Sequence, residues 1–398
     1  MRVLLNGLST LKAKTGVGHH VADLHAALGG ADPESKFTLY PGEALLRLVS
    51  AKKSTRSATS APAAQNGFAR LKRSLRDAGI ATAKLGIRGH FAAYARRYPF
   101  DLYHEPNFIP LPTHLPTIIT VHDLSVLKFP EWHPADRVRT HEKHFLKGLI
   151  RAEHVIVVSE AVRQEMIVEL NFPPERVTTV HNGIGSQFVP QDPERLAALR
   201  RGFDLPGKFF LCVGTVEPRK NLGTVLRAFI DLPASVRNEC PLILAGPWGW
   251  RADADRELFD GAGRAAGARH LGYVPAEQLP ALYGAARVLL YPSHYEGFGL
   301  PPIEMLACGG AVLASTASAL REVIGPLGKL IDPNDVSGWQ AVMQLSALDD
   351  DYLADLNRGG IEHARQFNWP RAARETVAVY RNVLTPAVLG AGRRTLRS

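Results

Sequence analysis

The stretch Val288-Leu289-Leu290-Tyr291-Pro292-Ser293-His294-Tyr295-Glu296-Gly297-Phe298-Gly299-Leu300-Pro301-Pro302-Ile303-Glu304 reads as a buried strand, a polar loop and the opening of a helix. Its apolar lead fits a strand covered on both faces. Pro301 and Pro302 lack amide hydrogens and suit a first helical turn, while Gly297 and Gly299 let backbone approach a ligand closely. A helix start of this kind presents free N–H groups and a positive dipole end, a place for a diphosphate.

The same grammar recurs in both directions. Short apolar runs at 3–5, 37–40, 102–104, 117–121 and 155–158 precede a second series at 209–213, 242–245, 288–291 and 311–314. Helical patterns such as 221–230 and 276–283 separate them. Two such series in 398 residues predict an α/β protein of two Rossmann-like, doubly wound domains facing across a cleft. Proline-containing turns at 189–193 and 205–208 bracket a charged segment, which sets the expected boundaries: domain 1–185, linker 186–207, domain 208–369. Residues 57–67, rich in Ala and Ser, read as a loop, and 387–398 as a tail. Ligands of open α/β sheets bind beyond the carboxyl ends of the strands, so residues that follow the predicted strands are the candidates for chemistry.

Three cysteines, Cys212, Cys240 and Cys308, with no C-x-x-C pair, fit a reducing cytosol. The apolar start is too short for a signal peptide and no run approaches a membrane span, so a cytoplasmic location is expected. The net charge of +9 is unevenly placed. Residues 44–98 hold 12 Lys or Arg and one acid, Asp77, whereas the rest of the chain is close to neutral.

Glu296 and Glu304, at E-x7-E spacing, flank the quoted loop. Carboxylates accept hydrogen bonds from sugar hydroxyls, and a nucleotide sugar offers hydroxyls on either side of a diphosphate. The alternative is a solvated loop residue at Glu296 and a complement to the helix dipole at Glu304. A second strand-to-helix passage, Val213-Gly214-Thr215-Val216-Glu217-Pro218-Arg219-Lys220-Asn221, offers Arg219 and Lys220 to a departing nucleoside diphosphate, or else forms a solvated turn.

V-G-T-x-E-P-R-K-N, Y-E-G-F-G-L-P and the E-x7-E spacing together resemble the retaining GT-B glycosyltransferases of family 4, in particular bacterial mannosyltransferases of surface-polysaccharide assembly. The resemblance covers nearly the whole chain and is strongest over 207–322. It implies that Arg219 and Lys220 bind the diphosphate, Glu296 the donor sugar and Glu304 the ribose, with Gly297, Phe298, Gly299 and Leu300 lining the pocket. Many members carry Arg directly after the glycine equivalent to Gly214; Thr215 stands there, which shifts that duty toward Arg219. Tyr273 and Val274 resemble the base-recognition segment, with ordinary packing as the alternative for Tyr273. His122, in Thr120-Val121-His122-Asp123-Leu124, resembles the active-site histidine, while Gly16 and Gly18 look like the family's glycine loop. His104 and Asn107 are placed on the acceptor side. A C-terminal helix over 370–386 would pack back on the first domain.

The reaction so implied moves a hexose, with mannose from GDP-mannose favoured, to a glycan or polyprenyl-diphosphate-linked acceptor. A UDP-sugar-dependent glucosyltransferase and a sugar-nucleotide epimerase of the same fold remain as alternatives. No cofactor or metal is expected, because cations and a helix end serve the leaving group. Asp253-Ala254-Asp255 lacks a preceding apolar strand, and His141-Glu142-Lys143-His144 is one residue short of H-E-x-x-H and reads as an exposed helix face. The glycine loop is not G-x-G-x-x-G, which disfavours a nicotinamide enzyme. Basic residues over 47–97 suggest docking on an anionic membrane surface, such as the inner face of the membrane. A nucleic-acid-binding protein is the alternative of another class, disfavoured because aromatic residues in the patch are few.

Overall fold

The structure, a computed structural model, describes residues 1–11, 16–42 and 86–385. Most of the basic segment, Lys14 and Thr15 of the glycine loop, and the tail expected at 387–398 lie outside the described residues.

Two six-stranded parallel sheets carry the two domains. The first comprises β1 (Arg2–Asn6), β2 (Lys36–Tyr40), β3 (Leu102–Glu105), β4 (Thr117–Val121), β5 (His154–Val157) and β6 (Val177–Thr179) in the order β2-β1-β3-β4-β5-β6. The second comprises β7 (Phe210–Val213), β8 (Leu242–Ala245), β9 (Arg269–Gly272), β10 (Val288–Tyr291), β11 (Val312–Ser315) and β12 (Lys329–Ile331) in the order β12-β11-β10-β7-β8-β9. Every residue of β3, β4, β5, β8, β10 and β11 is buried, as strands covered by helices on both faces require. Strand order reverses direction at β1/β3 in the first sheet and at β7/β10 in the second, so each sheet opens a crevice there.

Residues 193–207, expected within the linker, belong to the second domain. Asp192 caps the helix Pro193–Phe203 by accepting from Arg195 N–H at 2.7 Å, and Leu199 and Leu205 join that domain's core with Leu282 and Tyr283. The helix Trp369–Leu384 crosses back and buries Ala373, Val377 and Tyr380 against Val3, Leu5 and Val21 of the first domain. His104 fixes that crossing. It is fully buried, with Nδ1 at 2.7 Å from Tyr380 Oη and Nε2 at 2.8 Å from Thr120 Oγ1. Both ring nitrogens are therefore spent within the fold, and His104 faces no acceptor. His141 likewise departs from the exposed face expected of it, being buried between Phe108 and Phe145.

The domains touch directly. Ser159 Oγ–H donates to Gly297 O at 2.7 Å, and Tyr295 Oη accepts from Leu124 N–H at 3.0 Å while lying 2.5 Å from Glu165 Oε2. Glu322 accepts from Glu160 N–H, Ala161 N–H and His181 Nε2, capping a helix of the first domain from the second. Among the described residues no helix is long and apolar enough to cross a membrane.

Burial pushes His104 down to about 3 and His141 and His154 to about 4, so all three are neutral in the fold at pH 7. Unfolding returns each to about 6.5, and the unfolded chain then binds protons first as pH falls. Stability is thus fully present above about pH 6.5 and is lost below it, by up to roughly 1.4 kcal/mol per pH unit for each histidine. Chemical unfolding at pH 8, 7, 6 and 5 should show this loss, and His154→Gln should reduce the slope. A slope unchanged in that variant would count against the assignment.

Candidate active site

The second crevice places two loops side by side. After β7 the chain makes the short turn Pro218–Lys220, and Asn221 at φ +53° reverses it into the helix Leu222–Ile230. Asn221 Nδ2 donates to Pro292 O at 3.0 Å and to Pro333 O at 2.7 Å, fastening this turn to the loop after β10 and to the segment after β12. That loop ends at Gly299, whose φ of +105° begins the helix Leu300–Ala307, with Pro301 and Pro302 in its first turn.

The loops meet in a closed charge network. Glu296, 6% exposed, accepts from Arg219 Nη1 at 2.6 Å and from Lys220 Nζ at 2.7 Å. Lys220 Nζ also donates to Tyr291 Oη at 2.7 Å, and Glu217 Oε1 accepts from Arg219 Nη2 at 2.7 Å. Burial alone would lift the Glu296 carboxyl, but Arg219 and then Lys220 outweigh it and hold the group down at about 2. Burial lowers Lys220 below its ordinary value, only partly offset by Glu296. Burial opposes the charge on Arg219 as well, yet Glu296, Asp123 and Glu217 keep its pKa raised.

Beside this network lies a small recess of about 30 Å³, lined in part by Gly214, Thr215, Lys220, Gly246, Tyr291 and Ser293. Thr215 thus stands in the recess wall. Glu304, in the second turn of its helix and not the first, accepts from Tyr283 Oη at 2.8 Å. Burial raises its pKa to about 7, moderated by that hydrogen bond, so it titrates near neutrality.

From the first domain, His122 meets the loop through its backbone. A Cβ on Gly297 would fall 1.8 Å from His122 O, so only glycine permits this approach. His122 Nε2 lies 2.8 Å from Pro106 O; a carbonyl only accepts, so the ring hydrogen sits on Nε2 and Nδ1 keeps its lone pair. Burial lowers the His122 pKa, and the neutral ring can take a hydrogen bond at Nδ1.

The other residues singled out in the sequence are scattered more widely. Phe298 is buried against Phe367, Leu300 is partly exposed, and Val274 is in the second-domain core. Tyr273 is 71% exposed after β9, and neither it nor Val274 lines the recess. Gly16 and Gly18 open the helix Gly16–Ala31. Asn107 is exposed and donates its N–H to Glu105 Oε1 at 3.1 Å. Glu105 itself escaped notice in the sequence: it is buried, accepts from Asn6 Nδ2 and Tyr103 Oη at 2.6 Å each, and burial lifts it to about 8. Glu217, Asn221 and Tyr291 were visible only as parts of motifs, since nothing in a linear pattern shows which cation each one holds.

Residues 200–363 match the family Glycosyl transferases group 1, and residues 54–188 match Glycosyltransferase Family 4. The O-antigen chain mannosyltransferase B of Escherichia coli is 39% identical over 288 residues, which span 72% of this chain and 75% of that protein. The serotype-specific mannosyltransferase WbdA of Escherichia coli is 28% identical over 279 residues, 67% of this chain but only 34% of the longer relative. A crystal structure of Anabaena HepE in complex with UDP-glucose superimposes with a TM-score of 0.70 at 17% identity, covering 96% of this chain and 99% of that one. Sequence kinship over both domains and a shared two-sheet architecture thus lead to the same place: the chain belongs to the family-4 glycosyltransferases and has the GT-B fold.

Proposed function

We propose that the enzyme is a retaining mannosyltransferase that transfers mannose from GDP-mannose to a glycan or lipid-linked saccharide in surface-polysaccharide synthesis. The observation that carries this reading is the buried carboxylate of Glu296 clasped by Arg219 and Lys220 at the crevice between β7 and β10. Likeness to mannosyltransferases of O-antigen chains favours mannose as the sugar.

In this reading the bond between the anomeric carbon and the diphosphate breaks, leaving positive charge on the sugar and negative charge on the leaving group. Lys220, Arg219 and the helix start at Gly299 are set to receive the diphosphate, since they are fixed before the donor arrives and need no rearrangement of solvent. Glu296 orients the sugar, and its negative charge favours an electron-poor anomeric centre. The acceptor hydroxyl attacks from the face the diphosphate leaves and passes its proton to the departing diphosphate oxygen, which retains configuration. Glu304 accepts from the ribose hydroxyls, and His122 Nδ1 accepts from a sugar hydroxyl.

Lys220→Ala and Glu296→Ala should each lower kcat/KM for GDP-mannose by about a hundredfold or more while leaving the circular dichroism spectrum unchanged. Wild-type turnover in either variant would remove the assignment.

GDP-mannose should raise Tm more than UDP-glucose, because a ligand bound only by the folded state at about 100 times its Kd stabilises by about 2.7 kcal/mol. A larger response to UDP-glucose would reassign the donor.

Donor affinity should increase as pH rises through about 7, where Glu304 loses its proton and gains capacity to accept from the ribose. Titration calorimetry from pH 6 to 8 should show that increase in the wild type and a flat profile in Glu304→Gln.

The basic segment over 47–97 is proposed to dock on anionic lipid. Exposed Ile87, Arg88, Arg96 and Arg97 on the helical stretch 86–97 support this. Co-sedimentation with phosphatidylglycerol vesicles should occur at low salt and weaken at high salt; equal binding to neutral vesicles would contradict it.

A further inference from the structure

His133 holds a hydrogen-bond donor that the fold leaves unused. The side chain follows the short turn Pro130–Trp132 and the residue is 3% exposed. Its Nδ1 faces Arg137 Nη1 at 3.5 Å; arginine has only hydrogens to offer, so Nδ1 takes the accepting role and the ring hydrogen belongs on Nε2. Nε2 is buried and has no hydrogen-bond partner. Buried polar groups in folded proteins are almost always paired, and an unpaired one is a place where something from outside is expected to bind.

The surroundings of His133 belong to the reaction site. Trp132 O accepts from Trp250 Nε1–H at 2.8 Å, and the Trp132 ring lies nearly parallel to His294 at 5.8 Å. His294 N–H in turn donates to Arg219 O at 2.9 Å. Asp123, Glu217 and Arg219 all act electrostatically on His133, and burial keeps its ring neutral. Asp123 stands beside the loop that carries Glu296, for a Cβ on Gly297 would lie 2.9 Å from Asp123 Cβ. Its Oδ1 accepts from Ser125 N–H at 2.9 Å and Ser125 Oγ–H at 2.6 Å, which fixes the carboxylate, while Oδ2 takes no hydrogen bond from the described residues.

We propose that His133 Nε2–H and Asp123 Oδ2 belong to the acceptor subsite and each hydrogen-bond to the hydroxyls of the saccharide acceptor. This rests on the glycosyl-transfer reading above and adds the groups that hold the second substrate. Sugar hydroxyls have hydrogens to give and lone pairs to receive, so they satisfy both a neutral imidazole N–H and a carboxylate. Asp123 packs against Gly297, the neighbour of Glu296, from the first-domain side.

The test uses the full chain with GDP-mannose as donor and octyl α-mannopyranoside as acceptor. His133→Phe removes the N–H at similar volume, and Asp123→Asn removes the charge at the same shape. Each should raise the acceptor KM by about tenfold or more, while the donor KM moves by less than about twofold and GDP-mannose still raises Tm. His133→Gln, whose amide can donate, should recover part of the acceptor affinity; if His133→Phe fails to fold, this variant and Asp123→Asn decide. An acceptor KM within about twofold of wild type in the folded variants overturns the proposal and leaves a bound water as the partner of Nε2. Loss of the GDP-mannose response together with the acceptor effect also overturns it, because the role is then structural. Absence of both transfer and a GDP-mannose response in the wild type strikes the donor-site reading itself, a different failure.

Discussion

Glu296 stays charged inside the protein because Arg219 and Lys220 are brought to it, and that demand organises the second domain's crevice. A carboxylate taken out of water must be paired or it takes up a proton. Pairing here requires the turn after β7 and the loop after β10 to lie side by side, which the strand order β10-β7 supplies. Asn221 then welds the two loops by bonding Pro292 O, and ties both to the segment after β12 by bonding Pro333 O. Glu217 holds the far side of the Arg219 guanidinium, so the cation is pinned from two directions. Two cations and two carboxylates balance in this network, and a recess walled partly by Lys220 opens next to it. An anionic group entering there would find charge already oriented, which is cheaper than orienting solvent at the moment of reaction.

The first domain completes this crevice through backbone contact. Gly297 lies directly after Glu296 and packs on His122 O, while Ser159 reaches Gly297 O from the other side. Any side chain at 297 would wedge the domains apart. Glu322 strengthens the same contact by capping the helix Glu160–Leu170 across the interface, a charge-assisted arrangement at a helix N-terminus. The helix Trp369–Leu384 gives the pair a second connection, and His104 anchors it deep in the first sheet. Closure is therefore held near the loop that bears Glu296 and, independently, by the returning helix.

How much of this could be read from the chain follows from which groups are buried on two sides. The strands covered on both faces announced themselves as apolar runs, β4 and β10 being clear cases. The strands that left no signal, β6, β9 and β12, are all edge strands: β9 is only half buried throughout and β12 begins with an exposed lysine. The helix Pro193–Phe203 passed for a linker because only Leu199 of its 11 residues is buried, too little to mark an apolar face. In the site, Lys220, Arg219 and Glu296 were legible because strand-to-loop passages point to where ligands bind. His104 was misplaced because its partner Tyr380 is 276 residues away, and no local pattern distinguishes a locked histidine from a free one.

The same reasoning explains why Arg219 stands where it does in a chain that has Thr215 after Gly214. Thr215 stands in the recess wall, whereas Arg219 lies outside that lining and is already engaged by Glu217, Glu296 and Tyr295 O. Its guanidinium is thus less free to swing onto a diphosphate than Lys220, which is held by Glu296 and a neutral phenol. Lysine's compact charge on a flexible stem suits such a transfer of partners, and arginine's rigid fork suits holding a carboxylate in place. In the proposed reaction Lys220 is therefore the readier of the two cations to contact the leaving group, while Arg219 also keeps Glu296 aligned.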